Sequence, residues 1–169
     1  MKLTEFFLQQ LEIEGATTRR VLERVPEGRN DWKPHEKSMP LGYLAALVAR
    51  MPAWIELMAN LEQFDVHGPE AAAFTPTAPT NNRELVDSLD QSLAQAREAL
   101  SKTDDQKLMT QWKFLAKGHI VSQEPRYQAI RDAMLSHWAH HRGQLTVYLR
   151  LNEAPVPAVY GPSADEGKF

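Results

Sequence analysis

The sequence contains no cysteine, no excess of basic residues and no long apolar run. Without cysteine, disulfides, thiolate zinc sites and cysteine nucleophiles are excluded. The 19 basic and 22 acidic residues give a formal net charge of −3, which is not the charge balance of a protein that binds nucleic acid or an anionic membrane. No stretch approaches the ~18 apolar residues of a membrane span, and Glu5 with two glutamines interrupts the N-terminal apolar run before it reaches signal-peptide length. We therefore expect a cytoplasmic protein without nucleic-acid or membrane partners.

The apolar residues that are present suffice for one core. A chain of 169 residues, 43% of them hydrophobic, predicts a single domain over 1–169. Apolar residues recur every three to four positions in four segments, which predicts long amphipathic helices over 4–25, 40–61, 82–101 and 126–151. Pro52 lies inside the second pattern and predicts a kink near Met51. The predicted fold class is all-α, a four-helix bundle.

The segments between these helices are predicted to be long crossing loops. Residues 62–80 have a loop-like composition. Residues 103–124 show no helical period, and Gly118 indicates a turn, so a short extended pair is the alternative there. Residues 152–169 are rich in proline and glycine and are predicted to pack as an extended tail.

Three of the six histidines fall within "HWAHHRGQL", residues 137–145. His137 and His141 are four positions apart on a predicted helix, in line with apolar residues, so both imidazoles are expected to project inward from one face. Two imidazoles at this spacing can hold one divalent ion through their ring nitrogens. The alternative is a pair of hydrogen-bonded core histidines. His140 is offset from this face by about 100° and is expected at the surface or at an interface.

Three neighbours of the histidines invite interpretation. Gly143 costs ~1 kcal/mol relative to alanine within a helix, which a protein accepts when another backbone must approach closely. Arg142 and Gln144 flank the inward face and could orient the histidines or bridge helices. The alternative for both is a solvated face.

Two stretches carry a family resemblance. "HWAHHRGQLTVYLRLNEAPVPAVYG" resembles the last helix and tail of the DinB/YfiT-like superfamily, with its His-x-x-x-His-Arg-Gly-Gln motif. "DWKPHEKSMPLGYLAALVARMPAW" is similar to the family's entry into its second helix. The resemblance implies a four-helix bundle, commonly a homodimer, with a divalent ion held by three histidines. Two of these match His137 and His141.

The third ligand position departs from the family pattern. It corresponds to Leu47, in "LAAL", and leucine cannot coordinate a metal. Three histidines with open positions are the usual catalytic arrangement, whereas two alone bind a divalent ion weakly. No other candidate is expected to replace this ligand, because the remaining histidines and glutamates lie in predicted loops or off the apolar stripes: His35, His67, His119, Glu12, Glu14 and Glu56.

Two functions from different classes remain. The first is a degenerate member of the family, with a small-molecule pocket or a structural role in a homodimer. In such a pocket, Leu47 would extend the apolar lining between Leu44 and Met51. His137 and His141 beside it would be neutral, because burial lowers the pKa of an imidazole. The alternative, which the resemblance implies, is a metal-dependent enzyme of the thiol-dependent transferase, isomerase or hydrolase type that uses His137 and His141 with zinc or nickel. Leu47 favours the first function, with metal binding weak or absent.

Overall fold

The structure is a computed structural model that describes residues 1–167. The helices, in chain order, are α1 (Leu3–Leu22), α2 (Leu41–Arg50), α3 (Trp54–Asn60), α4 (Asn82–Ser101), α5 (Asp105–Leu108), α6 (Arg126–Ala129) and α7 (His137–Leu151). The strands are β1 (Gln63–Asp65), β2 (Gln111–Ala116) and β3 (His119–Pro125). Tighter 3₁₀ turns cover Met51–Ala53 and Pro69–Phe74, and wider π-helical turns cover Ile130–Ser136.

The core lies between the long helices. α1 packs against α4, and α2 lies against both α4 and α7. Each of these helices contributes leucines that are completely removed from water, including Leu11, Leu44, Leu89 and Leu145. Burial of one such side chain contributes about 1.5–3 kcal/mol to folding.

The helix boundaries follow local chemistry. α4 occupies the predicted range 82–101, because the side chain of Asn81 accepts a hydrogen bond from the Glu84 amide at 3.0 Å and caps its first turn. α1 ends at Leu22, three residues before the predicted end. Val25 precedes Pro26, and a residue before proline is disfavoured in the α conformation.

The second predicted helix is interrupted at Pro52, as the sequence indicated. α2 ends at Arg50, one 3₁₀ turn follows, and α3 begins at Trp54. Among the described residues, the stretch Leu41–Asn60 is long and apolar enough to cross a membrane, and 72% of its most apolar window is buried inside the fold. The prediction that no stretch approaches the composition of a span is therefore wrong for this segment, although its burial is typical of a core helix.

The predicted all-α fold class is wrong. β1, β2 and β3 form a three-stranded sheet in that order, with β1 parallel to β2 and β2 antiparallel to β3. Residues 103–124 are therefore not a simple crossing loop. The alternative of a short extended pair in this segment is confirmed, whereas β1 was not predicted.

The hairpin between β2 and β3 has a local physical cause. Lys117 and Gly118 form its two-residue turn, with φ angles of 52° and 78°. Positive φ at both turn positions matches the twist of an antiparallel pair, and glycine adopts it without strain. The carboxylate of Asp65 in β1 accepts hydrogen bonds from the Lys117 amide at 3.1 Å and the Gly118 amide at 2.6 Å. These bonds fix the turn against the neighbouring strand.

The tail after α7 lies along the helices without regular secondary structure through residue 167, and the last two residues of the predicted tail, 168 and 169, lie outside the described residues. Glu166 pairs with Arg20 at 2.6 Å and also with Arg24. The Arg24 guanidinium and the Ala158 amide, which donate hydrogen bonds to its carboxylate, lower the pKa of Glu166 from 4.5 to about 2. The tail is thus held to α1 by charge-assisted hydrogen bonds.

The lowered pKa of Glu166 predicts the pH range in which the tail loses its contact with α1. A carboxyl whose pKa is depressed by folding stabilises the folded form above its unfolded pKa and loses that contribution as the pH falls toward the folded pKa. The amide of Ala158 lies 3.1 Å from the Glu166 carboxylate, so its NMR chemical shift reports the charge of that carboxylate. This chemical shift should stay constant between pH 7 and 4.5 and should change only below pH 4.5. Glu166→Gln should abolish this titration, and Glu153→Gln, at an exposed position, should not. A midpoint near pH 4.5 in the wild type would contradict the assignment.

Candidate functional site

His137 and His141 form a pair at the beginning of α7. Their ring centroids lie 4.5 Å apart, His141 is 8% exposed and His137 is half-buried. The predicted shared face is therefore confirmed. Nδ1 of His141 lies 2.8 Å from Oε1 of Gln144. An amide oxygen only accepts, so Nδ1 carries the proton and Nε2 is the free lone-pair atom.

Burial keeps both imidazoles neutral. Loss of hydration lowers the pKa of His137 below 6.5, against a smaller opposing effect of a hydrogen bond with the Ala133 backbone. Loss of hydration also lowers the pKa of His141, although the hydrogen bond with Gln144 partly opposes it. At pH 7 both rings therefore offer lone pairs rather than positive charge.

The remaining histidines lie at the surface. His140 is exposed, with its ring centroid 5.2 Å from that of His141, as the offset predicted. His35, His67 and His119 are exposed as well. His67 nevertheless contributes to the rim of the cavity described next.

A cavity of about 710 Å³ adjoins the histidine pair. Leu47 from α2 and His137 from α7 both line it, so the position of the lost family ligand is part of its wall. Leu44 and Met51, which were predicted to share this lining, are instead completely buried in the core. The predicted apolar lining is thus correct for Leu47 and wrong for its two neighbours.

The opposite wall of the cavity comes from the sheet and from residues 66–76. Phe64 in β1 is the register partner of Phe114 in β2, and Trp112 stacks on Phe114 with centroids 6.3 Å apart. Phe64 also contacts Phe74 edge to face, at 5.6 Å between centroids. All four aromatic residues line the cavity, and none of them was predicted to belong to a site. The alternation of Trp112 and Phe114 in β2 is the signal that was missed.

The residues present do not fit a three-ligand metal centre. Within residues 1–167, no group of three or more histidine, aspartate or glutamate side chains is placed to hold one ion. The family position at Leu47 carries an aliphatic side chain, and Glu12 and Glu14 are engaged with Arg97 and Arg142. The donor set is therefore the imidazole pair of His137 and His141.

Arg142 bridges helices rather than contacting the histidine pair. Its buried guanidinium donates to the Glu14 carboxylate at 2.5 Å and to the Thr18 hydroxyl at 3.0 Å, and it also contacts the Tyr160 hydroxyl. Of the two roles considered for this arginine, bridging is the one found. Gln144 takes the other role, because its amide orients His141.

Gly143 does not serve a close approach within the chain. It is exposed, and a Cβ atom built on it would meet nothing within 4 Å among the described residues. The interpretation that a neighbouring backbone requires this glycine is therefore wrong for the single chain.

Comparisons with known proteins agree with the resemblance in the sequence. A sequence profile of the DinB family matches residues 1–168. The chain is 24% identical over 165 residues to the uncharacterized protein YrdA of Bacillus subtilis (strain 168). The aligned region covers 96% of this chain and 90% of YrdA. It is similar to the crystal structure of a DinB-like protein from Bacillus cereus ATCC 10987, with a TM-score of 0.70, 25% identity and coverage of 92% of this chain and 97% of the other. The DinB-like protein YjoA of Bacillus subtilis shares the fold, with a TM-score of 0.63, 18% identity and coverage of 89% and 94%. The chain therefore belongs to the DinB family.

Proposed function

We propose that this DinB-family protein binds a small apolar molecule in the cavity beside Leu47 and His137, and that it binds a divalent ion weakly or not at all. The observation that carries the proposal is the cavity itself, at about 710 Å³. Ligand pockets of proteins measure roughly 300–1,000 Å³ and are predominantly apolar, with a few polar groups that orient the ligand. Its lining contains no lysine, arginine, aspartate or glutamate.

A simple hydrocarbon probe tests the proposal. Naphthalene should bind the purified protein and raise its melting temperature, because a ligand that binds only the folded state stabilises it. Ala71 lines the cavity, whereas Ala73, on the same 3₁₀ turn, does not. Ala71→Phe should fill part of the cavity and weaken naphthalene binding about tenfold or more, which corresponds to about 1.4 kcal/mol, and Ala73→Phe should leave it unchanged. Equal binding by both variants would place the ligand elsewhere.

The second candidate function is a metal-dependent enzyme of the transferase, isomerase or hydrolase type, with zinc or nickel held by His137 and His141. The observation that favours it is the pair of neutral imidazoles 4.5 Å apart. When bound, the ion would supply Lewis acidity, and the hydrogen bond that His141 donates to the Gln144 amide oxygen would orient its ring. The absence of a third protein ligand at Leu47 makes this the weaker candidate.

We also propose a homodimer, in a cytoplasmic location. Among the residues near the kink and on α7, Trp138 and Pro52 are buried within the chain and Trp54 is half-buried, so none of them offers a fully exposed surface to a partner. A better surface is the outer face of α7, where Gly143, Val147 and Leu151 follow one another at four-residue spacing and are exposed. Glycine on such a face allows two backbones to approach closely, which would explain why the helix tolerates it.

The homodimer proposal has a direct test. Wild-type protein at micromolar concentration should sediment as twice 19.2 kDa. Val147→Glu should give the 19.2 kDa species, because a charge would be buried in an apolar contact. Ile13→Glu, at an equally exposed position on α1, should remain dimeric. A wild-type protein that sediments only as the monomer would refute the proposal.

A further inference from the structure

One side of the cavity is a segment that contributes nothing to the buried core. Residues 66–80 (the lid) join β1 to α4, and the stretch from Val66 to Pro76 lines the cavity. No residue of the lid is buried. The other lining residues that the structure describes lie on helices, on the turns at Ile130–Ser136 or on strands. The lid is therefore the part of the wall that can move without unpacking the core.

Both ends of the lid are fixed to the rest of the fold. At its start, the Val66 amide donates a hydrogen bond to the Leu115 carbonyl of β2 at 3.0 Å. At its end, the side-chain amide of Asn30 donates to the Pro79 carbonyl at 2.6 Å, just before α4 begins. A movement of the lid is thus confined to its middle part.

The middle of the lid forms its backbone hydrogen bonds within itself. The Ala71 amide donates to the Gly68 carbonyl at 3.1 Å, and the Thr75 amide donates to the Ala72 carbonyl at 3.2 Å. Such local bonds do not tie a segment to the helices and strands around it. The middle of the lid is therefore held in place by side chains.

Arg50, the last residue of α2, is the side chain that holds it. Its half-buried guanidinium donates to the Thr75 carbonyl at 2.9 Å and also to the Ala73 carbonyl. These carbonyls flank Phe74, whose ring packs edge to face on Phe64 with centroids 5.6 Å apart. Hydrogen bonds from a charged donor are stronger than those between neutral groups. One arginine thus fixes the backbone on both sides of the aromatic residue that closes this wall.

A second cavity of about 450 Å³ lies on the other side of the lid. Phe74 lines both cavities, whereas Ala73 beside it lines the second and not the first. Protein interiors are otherwise close-packed, so a segment with free space on either side can shift without a steric clash. The second cavity therefore gives Phe74 room to move away from Phe64.

We infer that the lid opens to admit a ligand to the cavity, and that Arg50 is the positioning residue that keeps it closed. This inference rests on the proposed apolar ligand site and adds how its ligand enters and leaves. In the open state Phe74 leaves Phe64, and the Ala73 and Thr75 carbonyls exchange the guanidinium for water. No helix or strand has to move, because both ends of the lid stay fixed.

Arg50→Met should accelerate the binding and the release of a ligand by the same factor. N-Phenyl-1-naphthylamine is a neutral probe whose fluorescence rises in apolar surroundings, so stopped-flow mixing measures both rate constants. Each rate constant should rise about three- to tenfold, the range expected for the loss of one net hydrogen bond. The dissociation constant should not change, because the open state gains population with and without the ligand. Arg97→Met, which loses an exposed pair with Glu12, should change neither rate constant.

Hydrogen exchange observes the lid in the absence of any ligand. The amides of Ala71 and Thr75, which are bonded within the lid, should exchange about three- to tenfold faster in Arg50→Met than in the wild type. The Val66 amide, at the fixed start of the lid, should exchange at the same rate in both proteins.

These measurements separate the lid from the site that it covers. Unchanged exchange of the Ala71 and Thr75 amides in Arg50→Met would overturn the inference. Constant rate constants for the probe, or a change in the dissociation constant through the dissociation rate alone, would also overturn it, since the latter is the sign of a damaged site. A probe that binds neither wild type nor variant would refute the ligand site itself. Faster exchange at Thr75 would then still support the role of Arg50 in holding the lid.

Discussion

Leu47→His is expected to raise the affinity for zinc or nickel by orders of magnitude. The wild-type protein offers two imidazoles, 4.5 Å apart between centroids, on one face of α7. Leu47 on α2 lines the same cavity as His137, so a histidine there would add a third ring nitrogen near the pair. Since the two other ligands are already placed by the fold, the third adds binding energy with little new ordering entropy.

Matched variants identify the ligands in this experiment. Adding His141→Gln to Leu47→His should abolish the gain in affinity, whereas adding His140→Gln should not, because His140 is exposed beside the pair. Leu47→Asn controls for the burial of a polar group. Calorimetric titration of the untagged wild type and the four variants measures all five affinities. Tight binding by the wild type that is unchanged in Leu47→His would show that another group already completes the site.

The same substitution carries a cost in the metal-free protein. An unpartnered imidazole at the buried position of Leu47 should lower the free energy of unfolding by about 1–3 kcal/mol. Bound metal should restore that loss, because it binds only the folded form. A melting temperature that rises with zinc in Leu47→His and stays constant in Leu47→Asn is the expected signature.

Arg142→Met is expected to cost about 3–5 kcal/mol of the free energy of unfolding. The Arg142 guanidinium is 2% exposed and the partner carboxylate of Glu14 is 14% exposed, so removal of the arginine leaves a charge that is largely shielded from water. It also removes the hydrogen bonds that join α7 to Thr18 in α1 and to Tyr160 in the tail. Denaturant unfolding of wild type and variant measures the loss.

An exposed pair between α1 and α4 is the matched control. Arg97 and Glu12 are joined at 2.6 Å, but they are 42% and 61% exposed. Solvent screens such a pair, so Arg97→Met should cost no more than about 1 kcal/mol. The double variant of Arg142→Met with Glu14→Leu should recover part of the loss, because no charge is then left buried. Equal losses for the Arg142 and Arg97 variants would contradict the role assigned to burial.

The sequence predicts the helical part of the site because helical periodicity is local. His137 and His141 share a face since four residues make about one turn. Pro52 interrupts its helix because proline has no backbone N–H to donate and its ring clashes with the preceding turn. Asn81 caps α4 through its own side chain. Such features depend on a few neighbouring residues, and the sequence displays them directly.

The sheet wall of the cavity could not be predicted in the same way. β1 pairs with β2 across a sequence separation of about fifty residues, and the three residues of β1 carry too short a pattern to indicate a strand. Phe64, Trp112 and Phe114 therefore meet through long-range pairing.

Calorimetric titration of naphthalene into the untagged wild-type protein, once with a chelator and once with added zinc, tests the central claim most directly. Because Leu47 stands at the third ligand position and the cavity walls are apolar, we predict saturable binding with the same affinity under both conditions. Naphthalene binding that appears only when zinc is present would contradict this prediction. It would indicate that His137 and His141 hold a metal ion on which ligand binding depends.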